Sequence, residues 1–283
     1  MALDSMQEIF DKMQEGQKPF WKVVQDTDVE ERQVTPEASF EKMRMTWKAM
    51  LETVETYRGD LRSLSGLVGG DGQRMAEFAA SGKALAGEYL SQVITLALCT
   101  AESNACMRKI VAAPTAGACG VLPAVLIPLY RRDNIPEERM LEAMFVASGI
   151  GAVIAYRACI AGASGGCQAE IGSACSMAAA ALAELHGMEL DQIEYAAEVA
   201  MEHHLGLTCD PVRGLVQIPC IERNAVAAMR AINALSLANF LTYTRKISFD
   251  VVVNTMYETG RDLFSKYRET GEGGLAKYYT GKK

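Results

Sequence analysis

What this sequence lacks narrows its role first. No apolar stretch reaches the roughly 20 residues that a helix needs to span a bilayer. The most apolar run, Ala143 to Tyr156, is closed by Arg157 and reads as a buried core helix. Met1 to Phe20 carries Asp4, Glu8, Asp11 and Glu15 and has none of the apolar segment of a secretory leader. There is no Lys/Arg cluster, and the formal charge of −7 runs against a nucleic-acid surface, which needs a basic stripe. A soluble, cytoplasmic chain with no nucleic-acid or membrane partner is the expectation. Internal repeats and low-complexity tracts are absent, and strand-type alternation is scarce: Val251–Val253 is too short to matter. No two cysteines stand at the two-residue spacing typical of structural zinc, and no Lys-bearing phosphate loop occurs.

What is present is helical periodicity in a chain of 283 residues, 49% hydrophobic and 22% charged, an ordinary globular balance with enough length for a sizeable core. After Thr35, a candidate N-cap, and Pro36, suited to the first helical position, Phe40, Met43, Trp47, Met50, Val54 and Tyr57 recur at three- and four-residue spacing as far as Gly59. Such a stripe packs on the domain's own core or docks a partner subunit. Further helices are predicted over Gly82–Ile110, Cys119–Arg131, Pro136–Arg157, Ile171–His186, Leu190–His204, Glu222–Thr244 and Phe249–Tyr267. Asp191 and Glu194 resemble a capping box, and Gly187 is a stop for the helix before it. The small residues of Ala147–Ala183 let helix backbones approach closely and mark a tightly packed centre. The fold class is all-α. Residues 1–35 are expected as an N-terminal arm, 36–270 as the helical domain and 271–283 as a mobile or partner-ordered tail.

Three predicted loops concentrate Gly, Pro and Cys. Ala113–Gly120 runs straight into an apolar helix, and a Gly-rich turn at a helix N-terminus offers backbone N–H groups to a carboxylate or phosphate. An ordinary tight turn has the same spacing. Gly162–Glu170 contains Cys167, with Cys175 further on. Gly206–Pro211 contains Cys209 and leads to Cys220. Eight cysteines (Cys99, Cys106, Cys119, Cys159, Cys167, Cys175, Cys209 and Cys220) without a secretory context are expected as reduced thiols. Several of them suit plain core packing. By spacing alone, the loop cysteines are compatible with a metal site and say no more.

Ala113–Pro123 (APTAGACGVLP), Gly166–Leu182 (GCQAEIGSACSMAAAAL), Met201–Ala225 (MEHHLGLTCDPVRGLVQIPCIERNA) and Lys266–Ala276 (KYRETGEGGLA) together resemble the iron–sulfur L-serine dehydratases. The likeness runs from about residue 35 onward. It implies an all-helical catalytic domain whose interhelix loops hold a 4Fe–4S cluster on Cys167, Cys209 and Cys220, with Cys119 and Cys175 outside the ligand set. It implies conversion of L-serine to pyruvate and ammonia, with a thiolate-free iron acting as Lewis acid. Thr115, Ala116 and Gly117 are the expected carboxylate site, with Asn104 and Asn224 as candidates for the amine or hydroxyl. Longer relatives carry a Ser- and His-containing loop in a separate domain, and this sequence has no such loop.

Of the three histidines, His186 closes a predicted helix and reads as a surface residue. His203 falls in a family-like Glu-His pair and is a candidate base, although a helix-terminal role suits it better. His204 stands where the family more usually has Asn. The general base is therefore expected from a β-subunit. Two readings compete. A pyridoxal-phosphate dehydratase would need a Schiff-base lysine, for which Lys83 and Lys109 are the only vaguely placed candidates. A helical partner protein with a structural metal would need no catalytic group at all.

Overall fold

The computed structural model describes residues 3–240 and 247–281. Helices occur at Met6–Gly16 (α1), Phe20–Arg32 (α2), Pro36–Glu55 (α3), Asp71–Ala80 (α4), Gly87–Ala105 (α5), Val121–Asp133 (α6) and Glu137–Arg157 (α7). They continue at Gly162–Gly165 (α8), Ser173–Leu185 (α9), Leu190–Glu202 (α10), Cys220–Phe240 (α11), Phe249–Asp262 (α12) and Gly274–Tyr278 (α13). The described residues contain no β-strand, only a single parallel bridge between Cys209 and Arg268. The all-α expectation holds.

Local chemistry explains most of the boundaries. Thr35 caps α3 by accepting the Ala38 N–H, with Pro36 in the first turn. Ser5 and Ser248 cap α1 and α12 in the same way. Gly187, at φ +66°, ends α9 as expected, with the Met188 N–H donating to Ala183 O. Three expectations need correction. The capping box at α10 is Glu189 with Gln192, two residues before Asp191 and Glu194, because the helix already begins at Leu190. The Glu194 carboxylate instead accepts the Phe249 N–H of α12. The helix predicted from Gly82 starts at Gly87, since both glycines take φ +70° and break the turn there. The helix predicted to Tyr267 ends at Asp262, where Leu263 turns to extended backbone. Helix α4 was not foreseen. The predicted end at Thr244 lies outside the described residues.

Helix α9 is the centre of the molecule. Every residue from Ser173 to Ala183 is buried, and α6, α7, α10 and α11 pack around it. Its small side chains admit these neighbours at close range, as the Ala-rich composition led one to expect. Helix α7 has the length and composition of a bilayer span, but most of that span is buried inside the protein, so it is a core helix. The segment expected as an arm forms α1 and α2 and places Leu3, Met6, Ile9, Phe20 and Val24 in this same core. A Cβ on Gly149 of α7 would come within 2.6 Å of Val24 and 2.8 Å of Phe20, so the crossing with α2 depends on that glycine.

The apolar stripe of α3 is also used internally. Trp47 is fully buried with its ring edge-on to Tyr130 at 5.4 Å, and Phe40 packs on Phe145 at 5.9 Å. Of the two readings of that stripe, packing on the domain's own core is the one its buried and half-buried side chains adopt. Burying such aromatic groups stabilises the fold by roughly 3–5 kcal/mol each, judged by truncation. From Gly271 the chain runs back over the loops: the Leu275 N–H donates to Asp210 Oδ2 at 2.8 Å.

Candidate thiol-lined site

Three interhelix loops meet before the N-terminus of α9. The first holds the 3₁₀ turn Ala116–Ala118, the second runs from α8 into a π-helical turn at Gln168–Gly172, and the third joins α10 to α11. Gln168 ties two of them together: its amide donates to Gly165 O and Met256 O, and its carbonyl accepts the Gly206 N–H. The third loop is braced from the C-terminal segment, where the Cys209 N–H donates to Tyr267 O and the Glu269 N–H to Cys209 O.

Cys167, Cys209 and Cys220 are free, buried, and brought into one neighbourhood by this arrangement. The Cys209 thiol beside it holds Cys167 toward the thiolate, against the cost of burial, and the Arg223 guanidinium adds to the effect. Cys209 is pushed upward by the same neighbour and by burial. Burial, then the Cys167 charge, pushes Cys220 up to about 12. Arg223 is itself fixed, donating to Thr208 O and, at 2.8 Å, to Asp210 Oδ1 in a well-shielded ion pair. The other cysteines sit differently. Cys119 approaches Thr100 O and Cys175 approaches Ala227 O, both inside helix packing, where burial alone raises them.

The residues expected to receive a carboxylate lie alongside. Thr115 Oγ1 donates to Glu170 Oε1 at 2.7 Å. Asn104 donates to Ala116 O. Asn224, fully buried, donates to Gly117 O and Cys220 O and accepts the Gly120 N–H at 2.8 Å. Both asparagines thus hold the turn, and Asn224 does so with its whole amide. The backbone N–H groups of Ala116 and Gly117 make no hydrogen bond among the described residues. His203 is exposed at the end of α10, with Nδ1 on Val199 O and Glu202 at 3.3 Å, a helix-terminal position. His186 is exposed on Leu182 O. Lys83 is exposed, and Lys109 is paired with Glu52 at 2.6 Å, so neither is housed as a Schiff-base lysine.

Three functional-looking residues escaped the sequence reading. Glu170, Asp210 and Arg223 all lie inside the quoted motifs, and a charge inside a Gly- and Cys-rich loop was the signal that marked them.

Among the described residues no three Cys, His, Asp or Glu side chains gather on a single metal ion. The donor set does suit a multinuclear group, in which each thiolate takes its own iron. A Cβ on Gly162 would stand 2.9 Å from Cys209 Sγ and 2.7 Å from Glu170 Oε2, so the close approach of this loop to thiol and carboxylate requires a glycine.

Fold and site together define an all-helical protein with a loop-built, thiol-lined site beside a pair of unused backbone donors. The chain belongs to the serine dehydratase alpha chain family, which it matches over residues 15–276. It is 39% identical over 260 residues to the probable L-serine dehydratase, alpha chain, of Bacillus subtilis, covering 92% of this chain and 86% of that one. It is 54% identical over 181 residues to the L-serine dehydratase TdcG of Escherichia coli, covering 64% of this chain. An L-serine dehydratase of Streptomyces coelicolor is 49% identical over 197 residues, 69% of this chain and 42% of the relative. The matched region spans 40% of the length of the Escherichia coli relative.

Proposed function

We propose that this chain is the cluster-binding part of an L-serine dehydratase, a lyase that converts L-serine to pyruvate and ammonia. The observation that carries this is the convergence of Cys167, Cys209 and Cys220, free and buried, next to the unused N–H groups of Ala116 and Gly117. Cys167, Cys209 and Cys220 would hold a 4Fe–4S cluster; when bound, it supplies Lewis acidity toward the serine hydroxyl at an iron without a thiolate.

The chain's own residues do the rest of the positioning. The Ala116 and Gly117 N–H groups bind the substrate carboxylate at the start of the turn into α6, where unsatisfied donors favour an anion. Asn104 and Asn224 keep those donors aimed by holding the carbonyls of the same two residues. Gln168 and the C-terminal segment close the loops over the thiols and limit water. Loss of the α-proton and of the β-hydroxyl, together one water, leaves an enamine, which tautomerises to an imine that water hydrolyses to pyruvate and ammonia. The proton acceptor comes from a β-subunit, since the exposed His203 is tied to the end of its own helix.

Anaerobic reconstitution, followed by iron and sulfide analysis and a pyruvate assay, tests this. The chain is expected to load a cluster and to turn over slowly by itself. A β-subunit carrying the base is expected to raise turnover about 10²–10⁴-fold. Cys209→Ser is expected to lose the cluster. Full loading of that variant, or unchanged activity after iron chelation, overturns the reading.

A further inference from the structure

Glu170 is a carboxylate with a single hydrogen-bond partner. It stands in the π-helical turn Gln168–Gly172, a distortion that inserts a residue into helix register and recurs at functional sites. Thr115 Oγ1 donates to Oε1 at 2.7 Å, and among the described residues no other hydrogen bond and no ion pair reaches the carboxylate. Arg223 is committed to Thr208, Asp210 and Cys167. Burial raises the Glu170 pKa, the Thr115 hydrogen bond opposes it, and the nearby Glu269 charge adds to the local negative potential that a cation would relieve. Oε2 itself has no hydrogen-bond partner among the described residues, and Gly162 backbone approaches it closely, since a Cβ there would come within 2.7 Å.

The neighbour on the other side says which cation. The position a Cβ would take on Gly117 is 3.4 Å from Glu170 Oε1 and 3.6 Å from Oε2. Gly117 and Ala116 carry the unused N–H donors. An anion receptor and a cation receptor therefore lie side by side. A bare metal ion has no use for the N–H pair, and a simple carboxylic acid has no use for Glu170. An α-amino acid carries both charges on one carbon and matches both receptors.

Resting on the proposed activity, we infer that Glu170, oriented by Thr115, is the receptor for the substrate's α-ammonium group and restricts the site to α-amino acids. It is a substrate-binding residue. The proton acceptor of the reaction is a different group.

L-Alanine and propanoate separate this role from others, because they differ only in the ammonium group and neither has a hydroxyl to lose. Their dissociation constants are measured by calorimetry on the cluster-loaded holoenzyme with its β-subunit, and their inhibition of serine turnover alongside. The wild type is expected to prefer L-alanine strongly. Glu170→Gln is expected to weaken L-alanine by about 30-fold, the worth of a charge-assisted hydrogen bond, while leaving propanoate within about a factor of three. Glu170→Asp should recover part of the loss.

Equal weakening of both ligands in Glu170→Gln makes Glu170 a structural residue and overturns the inference. So does a fall in turnover with L-alanine binding unchanged, the signature of a base. If Glu170→Gln does not fold, the wild-type comparison still decides: propanoate binding as tightly as L-alanine overturns the inference with no variant needed. Failure of the underlying activity looks different. L-Alanine then binds through Glu170 and serine gives no pyruvate.

Discussion

Glu102 and Glu170 are both carboxylates lodged between helices, and the fold treats them in opposite ways. Glu102, almost fully buried on α5, accepts the N–H groups of Gly70, Asp71 and Gly72 and the hydroxyl of Tyr57. Its charge lies at the N-terminus of α4, where the helix dipole favours it. It is a staple that joins α4 to α5 and has no capacity left for a ligand. Glu170 has one hydrogen-bond partner, Thr115, and its Oε2 accepts no hydrogen bond among the described residues. A fold that satisfies one carboxylate fully and gives the other a single neutral partner leaves acceptor capacity on the second for a molecule that is not part of the chain.

The cysteines repeat the contrast. Cys119 and Cys175 are sealed in helix packing and raised by burial, whereas Cys167 faces Cys209 and Arg223 and is lowered.

The largest effect expected from this comparison is at Glu102. Glu102→Ala orphans three backbone donors and the Tyr57 hydroxyl, and is expected to cost roughly 4 kcal/mol in denaturant unfolding. A loss below about 1 kcal/mol would mean that Gly70–Gly72 finds other partners and that the staple is dispensable.

A smaller and pH-dependent effect is expected at His204. It is buried, with Nδ1 on Ala200 O, and burial lowers its pKa to about 4 from the model-peptide value of 6.5. Arg230 and His203, the charged groups that face it, act in the same direction. Below pH 6.5 the unfolded chain binds a proton that the folded chain refuses. Stability is therefore whole above that pH and falls as pH drops from 6.5 toward 4, by at most about 3 kcal/mol. His204→Asn is expected to flatten that slope in unfolding curves recorded across this range. An unchanged slope assigns the acid sensitivity to other groups.

The smallest effect is the most telling. Glu170→Gln is expected to change stability by less than about 1 kcal/mol, because it removes a charge with a single neutral partner. A loss comparable to Glu102→Ala would erase the distinction between staple and receptor.

The contrast between the two carboxylates was not visible in the sequence, and the reason is distance along the chain. Helix boundaries follow from interactions within a turn or two: Thr35 with Ala38, Pro36 at the first position, Gly187 in the left-handed region. Those positions could be read directly, as could the close-packed centre, because small residues from Ala147 to Ala183 have one efficient arrangement. The capping box at Glu189 was misplaced because Asp191 and Glu194 repeat its spacing, and only the actual start of α10 separates the two. Helix α4 was missed because its N-terminus is stabilised by Glu102, some thirty positions further along the chain.

By itself, then, the sequence determined an all-helical chain, its core stripe, its caps and the loops in which chemistry would lie. Family resemblance singled out Cys167, Cys209 and Cys220 from eight thiols. Tertiary structure alone decided that Thr115 would meet Glu170 across 55 residues, that Asn224 would hold Gly117 and Gly120, and that the stripe of α3 would face inward. Propensity and capping act over a few ångströms along the backbone. The meeting of distant loops depends on how α9, α10 and α11 pack, and that is set by the burial of every side chain between them.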